Sequence, residues 1–435
     1  MDRVSSGRLT SASRHLAQTL PGMSSMRLKN GQHLGYCTNV HPYDDVEGMI
    51  AALRSHAVPL AARLGLGRAR GPGDGADLGS SAEPGSGSAL DGALGVGLWF
   101  PQTVASEVEA DPSRLVEALA ELGLYVFTVN AFPSGSFHGP RVKDEVFKPS
   151  WSDPERLSYT LSAARALAAC LPEGVDGTLS THSGAYKPWG PALCDEDGVV
   201  AGLLAADEGL ARLADETGRR VTLAIEPEPL SLLETTDEVV DLFTRRLAPH
   251  SQGHLGLCYD ACHQAVEFED MAPSLTALAA AEVPIAKVQL SCAIVSAGPA
   301  GRRQALAPFA EDRWFHQVVA RQEGEPLRRL ADLPEALSDR RALAADEWRV
   351  HYHVPLFADR LDSAGLLTTT RPDLEQLLAL VQSTGATDQL EIETYSFGAL
   401  PVERRESLGA VTLLDCLEQE YRWVLDQLGE GAQPG

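Results

Sequence analysis

The sequence predicts an α/β chain folded as a (β/α)8 barrel. Eight short apolar runs of strand length alternate with helical stretches, and such alternation indicates a parallel sheet. Several runs end in an acid or a histidine: V-T-L-A-I-E-P-E (Val221 to Glu228), L-G-L-C-Y-D-A-C-H (Leu255 to His263) and L-E-I-E-T-Y (Leu390 to Tyr395). In a barrel all strand C-termini meet at one face, so distant residues converge there. No glycine-rich phosphate fingerprint follows the first strand, which argues against an open dinucleotide-binding sheet.

In order, the strands are expected at His33–His41, Leu94–Phe100, Tyr125–Phe132, Gly177–His182, Val221–Glu226, His254–Asp260, Ile285–Ser291 and Leu390–Thr394. Helices are expected at Val46–Leu64, Ser113–Leu122, from Asp153-Pro154 onward, at Gly202–Glu216, Thr236–Leu247 and Ala272–Ala281, from Arg371-Pro372, and at Val411–Leu428. Asp153 is placed to cap its helix, with Pro154 in the first turn. Residues 1–31 read as a flexible tail and 32–428 as a single barrel domain. The Gly/Ser/Pro-rich stretch 67–88 cannot bury apolar area and reads as a flexible insertion after the first helix. Residues 292–348 form a long insertion after the seventh strand. Arg349–Phe357 then reads as one further extended segment.

At 435 residues and 44% hydrophobic, the chain can bury a large core. No apolar run is long enough to span a bilayer, so direct membrane insertion is not expected. The seven cysteines are scattered and read as reduced thiols, and a cytoplasmic location is the expectation. A formal charge of −24 argues against nucleic acid as a partner, because phosphate binding needs clustered Lys and Arg.

Side chains alternate along a strand, and the apolar set must pack under the outer helices. The opposite set points into the barrel. Four adjacent strands then offer Glu226, Asp260, Gln289 and Glu393 to a common centre, where four oxygen donors suit a divalent ion. His263, three residues past Asp260, is placed as a further ligand or substrate contact. His182, Trp99, Asn130 and Lys287 are further candidate substrate contacts. His351 and His353 share one face of their segment, the spacing of a two-histidine metal clip. His353 is expected to reach the Glu226, Asp260 and Glu393 cluster.

Strand ends in E-P, D-x-x-H and E-T-Y together resemble the xylose isomerase-like superfamily of sugar-phosphate isomerases and epimerases. Within it, H-L-G-Y-C-T-N-V-H-P (His33 to Pro42), G-L-W-F-P (Gly97 to Pro101), V-N-A-F-P-S-G-S-F-H (Val129 to His138) and L-E-I-E-T-Y resemble the metabolite traffic protein EboE family. The resemblance runs from about His33 to Tyr421. It implies one or two divalent ions and proton transfer between neighbouring carbons of a sugar- or cyclitol-like metabolite. Glu226 and Glu393 would serve as acid and base and Asp260 as a metal ligand. It also implies work in a secondary-metabolite gene cluster, with other proteins of that cluster as partners. Where the superfamily carries a histidine on the seventh strand, this chain has Gln289, which tilts the expected metal towards Mn or Mg rather than Zn. Two other readings stand beside the isomerase: a non-catalytic protein that binds and hands over a metabolite, and a metal-dependent phosphodiesterase.

Overall fold

The computed structural model describes residues 28, 30–66 and 92–430. The strands in chain order are β1 (His33–Tyr36), β2 (Leu94–Trp99), β3 (Leu124–Asn130), β4 (Gly177–His182), β5 (Val221–Glu226), β6 (Leu255–Asp260), β7 (Ile285–Leu290), β8 (Ile294–Ala297), β9 (Val318–Arg321), β10 (Arg328–Leu330), β11 (Glu347–Val350), β12 (Thr368–Thr369) and β13 (Gln389–Ile392). Eight of them form one parallel sheet in the order β1-β13-β7-β6-β5-β4-β3-β2. A parallel bridge between Cys37 and Gly97 joins its two ends, so the sheet closes into a barrel. The expected eighth strand is β13.

Alternation sorts the residues as the sequence requires. Leu223, Ile225, Leu257, Val288, Leu290, Leu390 and Ile392 lie in the apolar core under the helices. The inner face carries Lys287, Gln289, Glu391, Thr128 and Thr178, all buried. Register sets Gln289 beside Asp260 on one flank and beside Glu391 on the other.

Local signals place most helices. Ser113–Leu122 forms as expected and ends on Gly123, whose φ of 66° is a left-handed cap. Asp153 accepts from Glu155 N at 2.9 Å and caps the helix that opens at Pro154. Among the short helices that escape sequence reading are Gln102–Ala110 and Ala261–Val266. The second begins at Asp260, whose Oδ1 accepts from His263 N at 2.8 Å. One residue therefore ends a strand and caps a helix. The first strand is shorter than expected and stops at Tyr36. A 3-10 turn over Thr38–Val40 follows, with Thr38 Oγ1 accepting from Trp99 N at 2.9 Å.

The insertion after β7 is a folded layer. Strands β8 to β12 pair in the order β10-β9-β11-β8-β12, and each pair is antiparallel. Arg302 is buried there and donates to the carbonyls of Ser296 and Ala345 at 3.0 and 2.8 Å. The segment expected to run extended over Arg349–Phe357 leaves the sheet after Val350. From there His351 N bonds Gln317 O and Val354 N bonds Cys292 O, which steers the chain across the barrel mouth. The 67–88 insertion, and all of the expected tail except residues 28, 30 and 31, lie outside the described residues. Among the described residues, no helix is long and apolar enough to cross a membrane.

Candidate metal centre

Glu226 ends β5, Asp260 ends β6, and Glu393 directly follows β13. Each offers an oxygen to a cluster whose ligand atoms all lie within 4.8 Å of one another, and all three are buried. Glu226 Oε2 and Asp260 Oδ2 have no hydrogen-bond partner among the described residues. Neither amide atom of Gln289 has one. Buried polar atoms are normally paired, because an unpaired one costs its full desolvation. These residues therefore fit a divalent ion: oxygens converge, are buried and lack partners.

The remaining atoms of the cluster are held. Asn39 Nδ2 donates to Glu393 Oε1 at 2.7 Å. Ser291 Oγ donates to Asp260 Oδ1 at 2.9 Å. Burial pushes the Glu226 carboxyl well above its ordinary range, and Glu393 and Asp260 push it further. Glu393 is raised by burial, then by Asp260 and Glu391.

Histidines flank the acids. His263 Nε2 is 3.1 Å from His351 Nε2, which is 3.2 Å from His353 Nε2. His353 Nδ1 lies 3.9 Å from Glu393 Oε2, and ligand atoms of Asp260, His263 and His353 lie within 4.8 Å of one another. His353 thus reaches the carboxylates, as its spacing predicts. Burial pulls His353 down to about 4, and burial with the neighbouring His263, His353 and His316 pulls His351 well below the usual range. Both rings are neutral at physiological pH.

Glu226, Glu393, His263, His351 and His353 line a pocket enclosing about 540 Å³, open mouth included. Asn39, Asn130 and Glu228 also line it, with Phe132, Phe137, Trp314, Phe315 and Tyr395 as an aromatic wall. Lys143 reaches the rim, where its ammonium is spent on Trp314 O at 2.7 Å, Glu311 O at 3.1 Å and Asp332 Oδ2 at 2.6 Å.

Three expected substrate contacts lie elsewhere. Lys287 is fully buried below the pocket, paired with Glu391 and donating to Thr128 Oγ1 at 2.9 Å. His182 is saturated: Nδ1 accepts from Gly184 N at 3.1 Å, and Nε2 faces Pro149 O at 3.3 Å. Trp99 is buried against Tyr43 and Phe137, its indole N–H on Pro133 O at 3.3 Å. Asn130 and His263 do line the pocket. Strand-end position marks Phe132 as a wall candidate, and it does line the pocket; sequence reading missed Asn39, Gln317 and the other wall residues Phe137, Trp314, Phe315 and Tyr395. Asn39 carries a usable signal, since it lies just past the first strand end. Gln317 carries none.

No family model matches the chain, and no curated protein matches it. Among solved structures the chain is similar to a D-tagatose 3-epimerase-like protein, at 9% identity and a TM-score of 0.44, over 91% of this chain and 99% of that one. It is similar to the IOLI protein with a bound zinc atom, at 10% identity and 0.43, over 92% and 100%. It is also similar to the 3-keto-D-glucoside 4-epimerase YcjR from E. coli, at 14% identity and 0.34, over 59% and 79%. Sugar epimerases thus stand among its structural neighbours.

Proposed function

We propose that this protein is a divalent-metal-dependent isomerase or epimerase acting on a small, polyhydroxylated, sugar- or cyclitol-like metabolite. The observation that carries the reading is the buried Glu226–Asp260–Glu393 cluster with its unpartnered oxygens. Glu226, Asp260, Gln289 and Glu393 would hold the ion, Mn or Mg by donor type. Bound there, it would polarise a carbonyl and the adjacent hydroxyl of the ligand. Glu226 or Glu393 takes the proton from the carbon between them, and the other returns one. Asn39 fixes the Glu393 carboxylate, and the aromatic wall offers ring faces to a sugar.

The EboE resemblance extends the proposal to a cytoplasmic protein of a secondary-metabolite gene cluster, working beside other proteins of that cluster. The phosphodiesterase reading is disfavoured by the pocket lining. It holds one cationic side chain, Lys143, and that ammonium already has three acceptors. The carrier reading draws support from Gln289, a weaker donor than imidazole.

The test is solvent hydrogen exchange. With Mn²⁺ in D2O, sugars and cyclitols that shift the melting temperature are followed by NMR. Deuterium should enter at one carbon of a true substrate, and Glu226→Gln or Glu393→Gln should abolish it. Binding without exchange by any ligand would leave the carrier.

A further inference from the structure

The pocket is divided chemically, and the division follows chain origin. Three of its polar groups sit at barrel strand ends: Asn130 ends β3, Glu226 ends β5 and Glu393 follows β13. Its apolar lining comes from segments beyond the strands. Phe132, Phe137 and Val146 belong to the connection after β3, and Trp314 and Phe315 belong to the insertion after β7. The apolar part is continuous. The rings of Phe137, Trp314 and Tyr395 touch pairwise, with centroids 5.4, 5.2 and 5.3 Å apart, inside the range of favourable aromatic packing. Tyr395 also lies 4.7 Å from the His353 ring, so this surface abuts the metal centre.

The protein holds this surface in place by its own bonds. Val142 N and Lys143 N both donate to Arg313 O, at 2.7 and 3.1 Å. Trp314 Nε1 donates to Phe137 O at 3.1 Å. The three acceptors of the Lys143 ammonium, Glu311 O, Trp314 O and Asp332 Oδ2, all belong to the insertion. A surface fixed in advance spares a ligand the cost of ordering it.

The same bonds use up the polar groups of that surface. An indole has one donor, and Trp314 has spent it. An ammonium has three, and Lys143 has spent them. No arginine lines the pocket among the described residues, so no cationic side chain is left for a phosphate. Glu226, Glu228 and Glu393 line the other part. What the surface does offer is apolar area, which stabilises an apolar group that leaves water for it.

We infer that the ligand is an uncharged conjugate, a polyol joined to an apolar aryl or alkyl group. The polyol end meets the carboxylates, and the apolar group packs on Phe137, Trp314, Phe315 and Val146. The space of about 540 Å³, open mouth included, falls in the range of roughly 300–1,000 Å³ that takes a drug-sized ligand. The inference rests on reading the carboxylate end as a polyol site and adds the substituent to it.

The experiment is calorimetry on the full chain with Mn²⁺. The probes are the methyl, hexyl and phenyl β-D-glucosides and β-D-galactosides, with glucose and glucose 6-phosphate beside them. The hexyl or phenyl member of a series should bind about 10-fold or more tightly than its methyl member. Glucose 6-phosphate should bind no more tightly than glucose. Phe315→Ser and Val146→Asn, folded by circular dichroism and melting, should each cut the hexyl or phenyl advantage by about threefold or more and leave methyl glycosides unaffected. If neither variant folds, the wild-type comparison decides. Substituted and methyl glycosides within about twofold of each other would overturn the inference. So would tighter binding of the phosphate, an advantage intact in both folded variants, or binding by none of the glycosides. Solvent hydrogen exchange keeps the two readings apart. An advantage without exchange removes the isomerase and keeps the conjugate, and exchange on a free sugar with no advantage does the reverse.

Discussion

Lys287 and Glu391 form an ion pair on adjacent barrel strands, with both side chains wholly removed from solvent. Glu391 precedes the proposed catalytic Glu393 by two residues on the same strand face, so the pair lies one layer below the pocket floor. Removing one partner strands a buried charge, which costs about 3–5 kcal/mol. Lys287→Met should lose that much stability in urea denaturation. Lys287→Met/Glu391→Leu should recover most of it. A single variant within 1 kcal/mol of the wild type, roughly the value of an exposed pair, would show that the pair is not structural.

Gly97 is tied to the same pair. A Cβ at this position would overlap Glu391 Oε1 and crowd Thr128. Glu391 cannot swing aside without leaving Lys287, and Gly97 also forms the bridge that closes the barrel. Gly97→Ala should therefore destabilise by about 1–3 kcal/mol, the range for overpacking. Thermal melting reads this directly. The destabilisation should shrink in a Glu391→Ala background.

Asn39 donates to Glu393 and anchors nothing else of comparable burial on its side-chain nitrogen. Asn39→Ala should leave the melting temperature nearly unchanged and weaken Mn²⁺ binding by about 10- to 100-fold, the usual effect of losing a group that orients a ligand. An EPR titration of free Mn²⁺ measures it. Unchanged affinity would remove Glu393 from the ligand set.

Glu420 gives the clearest pH signature outside the metal centre. Burial raises its carboxyl to about 7, against the lowering effect of its bonds from Thr394 and Leu356. In the unfolded chain it titrates near 4.3. Between those values the folded state holds a proton that the unfolded state has lost, so stability falls as pH rises through this window. The total is about 3 kcal/mol, complete above pH 7. Glu420→Gln should be more stable than the wild type at pH 8 and equal to it near pH 4. Parallel stability profiles for the two proteins would contradict this.

The barrel was legible in the sequence because its signals are local. Strand-length apolar runs, period-two alternation and helix caps each act over a few residues, and β4 and β5 fall where those signals put them. Convergence of Glu226, Asp260 and Glu393 was also legible, since parallel topology brings every strand C-terminus to one face. Tertiary structure alone decided which polar residues face a ligand. Lys287 and Glu391 are 104 positions apart, and Asn39 and Glu393 are 354 apart. No periodicity encodes such a pairing. His182 and Lys287 carry the right chemistry for a site, and their partners use it up. The insertion hid for a related reason. Its strands are two to four residues long and find partners across long loops, too short for a pattern to repeat. Only the folded insertion brings Gln317 to His351 and sets the His351 ring between His263 and His353.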